Sequence, residues 1–536
     1  MFPNWHIMYL RGDKMGIYLN PSNELFSKAT RSKIYVDKTG LISFTNSVIR
    51  TEQRYICVSR PRRFGKTMAA NMLSAYYSGE NDSRELFKNL VISGDETYET
   101  HLNKYNVLFL NMQSFLSGAG SVYNVINRMR DKILREIVRT YPDVTYDDMD
   151  DLADSLENVY IAGKIPFVFI IDEWDCIFRE YKDDKEAQTI YLDFLRYLLK
   201  DKVYVALAYM TGILPIKKYG THSALNMFDE FSMPNPGRLA EYAGFTQDEV
   251  FGLCERYQMD YDEMSRWYNG YRLKGVSAVY NPRSIVAALL SGIFDDYWNK
   301  TESFEALKVY IDMNLDGLKD IIIQLLAGGK KEIKVGSFQN DMVTFQSYDD
   351  VCTLLVHLGY LAYDFDRKEV FIPNKEITDE FVTSIGNNHW GEVIRAINSS
   401  EELLEATWRR DGKKAAAMIE TVHNETSILT YNNETALSYT VSLAYFSARE
   451  YYTIVREMPA GKGFADIVFL PRKNHLDKPA LVIELKWGHS PDAAIEQIKN
   501  KNYPEALSGY RDDVLLVGFS YDRETKKHSC LIESAL

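Results

Sequence analysis

The sequence has no apolar run that approaches the roughly 18 residues that a membrane-spanning helix needs. Its first stretch, MFPNWHIMYLRGDKMG, carries charges and lacks the long apolar centre of a secretory signal. The five cysteines are odd in number, widely scattered and without a C-x-x-C pair, which argues against a disulfide framework or a zinc knuckle. We therefore expect a cytoplasmic protein in a reducing compartment, with no membrane partner.

An excess of positive charge is also absent. Lys and Arg number 62 against 75 Asp and Glu, which gives a net charge of −13. This balance excludes a protein coated with cations for indiscriminate nucleic-acid binding, although a local basic groove would disappear in the whole-chain sum. A chain of 536 residues is too long for one ordinary core, so we expect several domains.

The first half of the chain alternates between strand and helix patterns. Segments that are apolar throughout lie at 54–60, 105–112, 165–175 and 203–212, with long helical patterns between them. Strands of this kind indicate a parallel sheet that is covered by helices on both faces. We therefore predict a doubly wound α/β domain over 16–245, preceded by an N-terminal extension over 1–15.

In the remaining chain the pattern of predicted helices and strands changes. Residues 246–300 read as helices joined by turns without a strong strand, which favours a helical lid. Residues 301–400 are mostly helical but contain a hairpin pattern that turns at Asp366-Arg367, so this connector is either a structural spacer or a winged-helix-like DNA reader. The order α-β-β-β-α-β-β over 401–536 predicts a complete small α/β domain.

A phosphate-binding loop is indicated by Gly65-Lys66-Thr67 after the apolar run Tyr55–Ser59. Such a loop needs a preceding strand, inward N–H groups and a helix N-terminus behind it. Lys66 would then reach the β- and γ-phosphates of ATP, and Thr67 would hold Mg²⁺. Arg60 stands where the usual pattern has its first glycine, and costs about 1 kcal/mol if a positive φ is kept there. This weakens the match without excluding the site.

A second half of the same site follows in FVFIIDEWD, where an apolar run ends in Asp172 and Glu173. A buried strand of this form delivers one carboxylate to Mg²⁺ and a second to the attacking water. Thr211 ends the next apolar strand and would lie at the same sheet edge, where it would sense the γ-phosphate. The alternatives are a strand-end turn or helix cap for the carboxylates and a simple strand-ending hydroxyl for Thr211.

Seven segments of the first half occur in a recognisable order. They are YVDKTGLI (35–42), SRPRRFGKT (59–67), FIIDEWD (169–175), TGILPIKK (211–218), LNMFDE (225–230), GFTQDEV (244–250) and WYNGYRL with VYNPRSI (267–285). Together they resemble the AAA-ATPase-like family of bacterial proteins, whose phosphate loop reads R-P-R-R-F-G-K-[ST], from about Gly16 to Leu290. The resemblance implies that Arg60 is the family's own variant of the loop.

By that resemblance the nucleotide-binding loop consists of Arg60, Pro61, Arg62, Arg63, Phe64, Gly65, Lys66 and Thr67. The roles of Arg62 and Arg63 stay open between neutralising phosphate charge, reaching a neighbouring subunit's nucleotide and forming a solvated basic turn. Asp37 and Lys38 have no expected role beyond a helix cap.

The C-terminal domain carries a second constellation of charges. Asp466 precedes Glu484 by 18 residues, and Lys486 follows two positions later on the same strand face. Two carboxylates can hold Mg²⁺ against a phosphodiester, and an ammonium can orient the attacking water and offset developing charge. A solvated ion pair is the alternative interpretation.

The strand order around these residues, over about 425–530, resembles the PD-(D/E)XK nuclease fold. The GKGFAD turn and the AAIEQIKNKNY helix match the nuclease domain that is commonly fused to this ATPase family. The resemblance implies that Asp466 and Glu484 are metal ligands, that Lys486 is catalytic and that Gln497 positions substrate or water.

Three further residues of this domain stay open. Glu434 matches an extra acidic residue of some members but equally suits a helix cap. Lys499 and Lys501 either contact phosphate or are solvated at the surface.

The resulting hypothesis is a P-loop ATPase that uses ATP and Mg²⁺ and is coupled to a Mg²⁺-dependent nuclease, with DNA favoured over RNA as the nucleic-acid partner. The alternative is an ATP-dependent conformational switch whose nuclease-like domain binds nucleic acid or a partner without cutting. A homo-oligomer is compatible with either hypothesis.

Overall fold

The computed structural model describes residues 16–216, 225–298, 305–340, 342–386, 390–425, 434–460, 463–501, 507, 513–522, 524–525 and 527–535. The extension expected over 1–15 lies outside these residues. The chain divides into two compact units, of which the first comprises Met1–Thr301 and Glu332–Ile377 and the second Glu302–Lys331 and Thr378–Leu536. The connector expected over 301–400 is therefore shared between the units, and the other domain boundaries stay predictions.

The helices of the described residues are α1 (Glu24–Thr30), α2 (Gly40–Val48), α3 (Lys66–Tyr77), α4 (Arg84–Phe87), α5 (Tyr98–His101), α6 (Met112–Leu116), α7 (Val122–Thr140), α8 (Leu152–Gly163), α9 (Cys176–Glu180), α10 (Lys185–Leu199), α11 (Gln247–Tyr257), α12 (Tyr261–Tyr268), α13 (Pro282–Ser291), α14 (Glu305–Asp312), α15 (Leu318–Leu326), α16 (Tyr348–Leu358), α17 (Lys375–Ile385), α18 (Gly391–Trp408), α19 (Gly412–Glu425), α20 (Glu434–Ala444), α21 (Ala448–Tyr451) and α22 (Pro491–Asn500).

The strands are β1 (Tyr55–Ser59), β2 (Asn106–Asn111), β3 (Phe167–Asp172), β4 (Val205–Gly212), β5 (Asp229–Phe231), β6 (Phe245–Thr246), β7 (Tyr271–Leu273), β8 (Val276–Tyr280), β9 (Lys331–Glu332), β10 (Ala362–Asp364), β11 (Glu369–Phe371), β12 (Tyr452–Ala460), β13 (Gly463–Pro471), β14 (Ala480–Trp487), β15 (Val514–Asp522) and β16 (Lys527–Ser534). No helix in the described part of the chain combines the length and the apolar character that crossing a membrane requires.

The first unit is built on a five-stranded sheet in the order β2-β3-β4-β1-β5, with every neighbouring pair parallel. Strands β1, β3 and β4 are buried along their whole length, as their continuous apolar sequences predict. The predicted parallel α/β sheet is confirmed. Its register places Asp172 beside Asn111 on one side and beside Thr211 on the other, so the polar ends of three strands meet at one edge.

The long helix α7 fastens the start of the described chain to this sheet. Its buried side chains recur at intervals of three and four residues, which is the pattern of a helix with one apolar face. Glu136 on α7 is also buried, and its carboxylate accepts the backbone N–H groups of Ile17, Tyr18 and Leu19 at 2.9–3.0 Å. A buried carboxylate is tolerated here because three donors satisfy it.

The lid, which was predicted without a strong strand, contains three short ones. Helices α11, α12 and α13 are accompanied by a small antiparallel sheet in the order β6-β8-β7. Its strands are only two to five residues long, too short to give a periodic signal. Glycines with positive φ, Gly270 at 116° and Gly275 at 88°, precede β7 and join it to β8.

The connector supplies α16 and an antiparallel hairpin of β10 and β11 to the first unit. This hairpin confirms the predicted turn at Asp366-Arg367, and β9 pairs along its outer side in the sheet order β10-β11-β9.

The second unit contains a mixed sheet in the order β12-β13-β14-β15-β16. Only β14 and β15 run parallel among these described pairs, and α22 makes the crossover between them. The core against α22 is formed by Ala465, Val468, Ala480, Val482, Ile495, Ile498, Leu507, Val514 and Leu516. The predicted β-β-β-α-β-β order is confirmed, but four helices of the described chain, α18 to α21, precede it where the sequence indicated one.

Candidate nucleotide and nuclease sites

The phosphate loop joins β1 to the N-terminus of α3. Gly65 caps the helix with a left-handed φ of 85°, and a Cβ built on it would meet nothing within 4 Å. The N–H groups of the helical turn that follows Gly65 have no partner within an α-helix and attract anions. The Lys66 ammonium reaches back over the loop and donates to the carbonyl oxygens of Arg60 and Pro61 at 3.1 and 3.0 Å. Burial lowers the pKa of Lys66.

Arg60 holds the phosphate loop against the rest of the sheet. Its side chain is fully buried, and its guanidinium donates to the carbonyl oxygens of Ser59 at 2.9 Å, Phe231 at 2.7 Å and Leu239 at 3.4 Å. These bonds tie the end of β1 to β5 and to the 3₁₀ turn that follows it. The positive φ considered for Arg60 is instead found at Arg63, with 68°, and at Gly65. The loop is therefore held by a buried arginine where other loops have a flexible glycine.

Arg63 connects the loop to a buried carboxyl group. Its guanidinium donates to the carbonyl oxygens of Tyr297 at 3.2 Å and Trp298 at 2.6 Å. The N–H groups of the same two residues donate to Oε1 of Glu376, each at 2.8 Å, and the hydroxyl of Ser284 lies 2.9 Å from both Glu376 oxygens. Glu376 thus fixes the peptide that receives Arg63. Arg62, by contrast, is exposed and lines the cavity in front of the loop.

The Glu376 contacts predict a pH-dependent stability. Burial raises the pKa of Glu376 to about 8, although the Ser284 hydroxyl and the two N–H groups act in the opposite direction. In the unfolded chain the Glu376 carboxyl group ionises at about pH 4.3, whereas in the folded protein it keeps its proton. The stability that Glu376 contributes is therefore fully present below that pH and is lost as the pH rises towards about 8.

Replacing Glu376 by Gln should reduce the loss of unfolding free energy at high pH by on the order of a few kcal/mol. The amide keeps an acceptor for the N–H groups but does not titrate. Urea unfolding of the wild type and the variant at pH 5.5 and pH 8 measures the difference. Parallel shifts of both midpoints with pH would contradict the assignment.

Asp172 lies at the centre of the sheet edge. Its Oδ2 accepts the Thr67 hydroxyl at 2.8 Å and the Asn111 amide at 3.2 Å. Its Oδ1 is buried and has no hydrogen-bond partner within the described part of the protein. Burial raises the pKa of Asp172 to about 6, with the Thr67 hydroxyl acting against it. A buried carboxylate oxygen beside a threonine hydroxyl fits the ligand set of a divalent cation.

Glu173 directly follows and has a left-handed φ of 55°, an unusual conformation for a glutamate. Its carboxylate pairs with Nη2 of Arg179 at 2.5 Å, while Nε of Arg179 lies 3.3 Å from Asp175. Asp175 in turn accepts the N–H groups of Ile213 and Leu214 at 3.1 and 2.8 Å. The predicted water-activating carboxylate is therefore held by an arginine that also secures the end of β4.

Thr211 is fully buried at that end, and its hydroxyl has no hydrogen-bond partner among the residues described. The next position must be a glycine, Gly212, because a Cβ there would lie 2.6 Å from Oδ1 of Asp175 and 2.8 Å from the Trp174 ring. The structure thus brings Thr211 beside Asp172, as predicted from their strands.

A cavity of about 910 Å³ opens in front of the loop. The predicted residues on its wall are Arg62, Arg63, Phe64, Gly65, Lys66, Thr67 and Glu173. Its wall also includes residues 32–36 and helix α13 of the lid, with Arg283, Val286 and Leu290. This volume is ample for a nucleotide.

The motif residues Asp37 and Lys38 fix the chain beside this cavity. Asp37 accepts the N–H and hydroxyl of Thr39 at 2.8 and 2.7 Å and the N–H of Val91 at 2.7 Å. Lys38 donates to both carboxylate oxygens of Glu249 at 2.7 Å, and Glu249 belongs to the capping box of lid helix α11. Asp37 therefore shapes the local turn, and Lys38 joins it to the lid.

In the second unit the predicted nuclease residues also come together. Oδ2 of Asp466 accepts the N–H of Leu485 at 2.7 Å, which fixes this carboxylate beside β14. The Lys486 ammonium lies 3.2 Å from Oε1 of Glu484, and the Gln497 amide on α22 donates to the same oxygen. Asp466, Glu484 and Lys486 therefore lie on the sheet face that α22 covers, and Gln497 reaches them from α22.

The electrostatics of this group suit a cation. Glu484 is 1% exposed, and its second oxygen, Oε2, has no hydrogen-bond partner in the described ranges. Burial and the neighbouring Asp466 charge raise the pKa of Glu484 to about 7, against the effect of Lys486. Two adjacent carboxylates with an unpaired buried oxygen are destabilised by repulsion and desolvation, and a divalent cation relieves these costs.

Neither site is a complete metal cage. Among the described residues, no group of three or more His, Cys, Asp and Glu side chains is arranged to hold a metal ion. An ion at either site would take its remaining ligands from phosphate or water, as Mg²⁺ usually does.

Sequence reasoning missed Asn111 and Arg179. Asn111 ends a buried strand at the same edge as Asp172, which is a signal that was available from the sequence. Arg179 had no such signal, since its position depends on the turn after β3. The Glu434 side chain lies outside the described residues.

Comparison with known proteins agrees with this geometry. Residues 25–221 match the family model described as a predicted AAA-ATPase, and 434–529 match a family of the PD-(D/E)XK nuclease superfamily. A relative described as an uncharacterized protein in the vnfD 5′ region of Azotobacter chroococcum mcd 1 is 27% identical over 278 residues. That alignment spans 50% of this chain and only 50% of the relative.

Two solved structures show distant similarity. The Walker-type ATPase PABY2304 of Pyrococcus abyssi gives a TM-score of 0.34 at 12% identity, covering 64% of this chain and 94% of that protein. The ORC2 protein of Aeropyrum pernix, solved with ADPNP and ADP, gives 0.29 at 12% identity, covering 67% and 98%. The domain assignment rests on the two family matches. The chain carries a predicted AAA-ATPase domain followed by a domain of the PD-(D/E)XK nuclease superfamily.

Proposed function

We propose that this protein is an ATP-hydrolysing P-loop protein coupled to a Mg²⁺-dependent nuclease that cuts phosphodiester bonds, with DNA as the favoured substrate. The observation that carries the ATPase part is the Thr67–Asp172 hydrogen bond beside the open Gly65 cradle and its cavity. The nuclease part is supported by Asp466, Glu484, Lys486 and Gln497 on one face of β13, β14 and α22.

In the proposed ATPase the chain provides binding and orientation. N–H groups after Gly65 hold the phosphates, Lys66 leaves the loop carbonyls to contact them, and Thr67 with Asp172 would hold Mg²⁺. Glu173 would accept a proton from the attacking water or orient it, and Thr211, beside Asp172 at the end of its strand, would sense the γ-phosphate. The lid wall with α13 excludes water from the remainder of the cavity.

Replacing Glu173 by Gln should leave ATP affinity within about threefold while slowing hydrolysis by about 10²–10⁴-fold, because the amide cannot take up the proton. Calorimetry with Mg-ATP and a phosphate-release assay measure the two effects. Glu180→Gln, in the same cavity wall, is the matched control. Normal turnover in Glu173→Gln would move the role to another residue.

In the proposed nuclease Asp466 and Glu484 would hold Mg²⁺, which supplies charge stabilisation at a phosphate oxygen and a lowered pKa for water. Lys486 orients the attacking water and offsets the charge that develops on the phosphate. Gln497 keeps Glu484 in place from α22. Cleavage of labelled single- and double-stranded DNA and RNA, in Mg²⁺ and in EDTA, tests this part, and its failure on every substrate would refute it.

A second function is favoured by one observation, the pairing of Glu173 with Arg179. A water-activating carboxylate that is held by an arginine suits slow hydrolysis, and therefore an ATP-dependent switch whose nuclease-like domain binds nucleic acid without cutting. Slow turnover together with a large ATP-dependent change in assembly would favour this switch.

A further inference from the structure

Lys501, at the C-terminal end of helix α22, is a basic residue on the helix face that bears Gln497. The backbone N–H of Lys501 donates to the Gln497 carbonyl at 3.0 Å, so the two residues lie one turn apart on the same side of the helix. Because the Gln497 amide contacts Glu484, this side of α22 faces the carboxylates. Lys501 is half-buried there, at the C-cap of the helix.

The start of β13 leaves room for the Lys501 side chain. A Cβ on Gly463 would lie 2.9 Å from Cδ and 3.1 Å from Nζ of Lys501. The lysine stem therefore crosses the strand where the glycine has no side chain, three residues before Asp466.

Lys499, two positions earlier, provides a contrast within the same helix. Its ammonium pairs with Glu533 on β16 at 2.5 Å, and its side chain is 54% exposed. The two lysine side chains of the KNKNY segment therefore lie in different places, Lys501 against the start of β13 and Lys499 against Glu533 on β16.

We propose that Lys501 is a substrate-binding residue that contacts a phosphate of the nucleic acid next to the one that is cut. This inference rests on the proposed nuclease function and specifies how its strand is held. A negatively charged strand must approach two carboxylates, and the Lys501 cation, on the side of α22 that bears Gln497, reduces that repulsion. Phosphate contacts by lysine give affinity without sequence selectivity.

The test compares Lys501→Ala with Lys499→Ala in steady-state cleavage at several salt concentrations. Lys501→Ala should raise KM by about 10-fold, the effect of one charge-assisted contact, with kcat within about threefold. Its dependence of log KM on log salt should weaken by about 0.9, the effect of one lost phosphate contact. Lys499→Ala should match the wild type, and Lys501→Arg should retain most of the affinity. Equal KM values for Lys501→Ala and Lys499→Ala would overturn the proposal.

Gly463→Ala provides an independent variant, because the new methyl group displaces the Lys501 stem. It should raise KM like Lys501→Ala, and the double variant should show no additional effect. Additive effects would contradict a shared cause.

A wild type that cuts no substrate would refute the nuclease proposal, and the Lys501 contact is then measured separately. Equilibrium binding of labelled DNA and RNA should be about 10-fold weaker in Lys501→Ala than in Lys499→Ala. Equal affinity in the two variants would overturn the contact as well.

Discussion

Replacing Lys66 by alanine should weaken Mg-ATP binding by at least about 100-fold, the loss expected when charge-assisted hydrogen bonds to phosphate disappear. Lys66 is buried over the loop, with its ammonium about 3 Å from two carbonyl oxygens, and it would exchange these contacts for phosphate oxygens when Mg-ATP binds. Titration calorimetry with Mg-ATP measures the affinity.

The matched control for this variant is Lys88→Ala, at the C-cap of helix α4, where the exposed ammonium pairs only with Glu85 among its described contacts. This control should bind ATP like the wild type, and both variants should keep the wild-type circular dichroism spectrum. Unchanged ATP affinity in Lys66→Ala would remove the loop from the nucleotide site.

Replacing Lys486 by alanine should reduce cleavage by about 10²–10³-fold, the usual effect of losing an electrostatic or general acid–base group. The ammonium lies 3.2 Å from Glu484 and is 16% exposed, so its removal takes a cation from a partly desolvated site. Because both carboxylates stay, metal affinity should be kept or increased, which Mn²⁺ binding followed by electron paramagnetic resonance measures.

This combination separates a chemical role of Lys486 from a structural one. Loss of cleavage together with loss of Mn²⁺ binding would indicate that the site had collapsed. Full activity in the variant would show that the Glu484–Lys486 contact is an ordinary ion pair, the alternative that the sequence left open.

The sequence predicted those parts of the sites that depend on a single strand. Asp172 and Thr211 each end a continuous apolar run, and the ends of parallel strands necessarily meet at one sheet edge. In the same way, the spacing of Glu484 and Lys486 placed both on one face of β14. Periodicity and strand direction were sufficient for these predictions.

The parts that the sequence did not predict depend on segments distant in the chain. Arg60 bonds to carbonyl oxygens 171 and 179 residues away, and its role therefore could not be read from the loop. Glu376, in the first turn of α17, accepts the N–H groups of Tyr297 and Trp298, whose carbonyl oxygens accept Arg63. Lys499 and Lys501 look alike in sequence, and only the position of β16 and Gly463 distinguishes them.

The most direct test of the account is one cleavage experiment on labelled single- and double-stranded DNA and RNA with Mg²⁺, with and without ATP, using the wild type, Lys66→Ala and Lys486→Ala. The account predicts that the wild type cuts at least one substrate, that ATP changes its rate, that Lys66→Ala loses this ATP response and that Lys486→Ala does not cut. Equal cutting by wild type and Lys486→Ala, or no cutting under any condition, would contradict it.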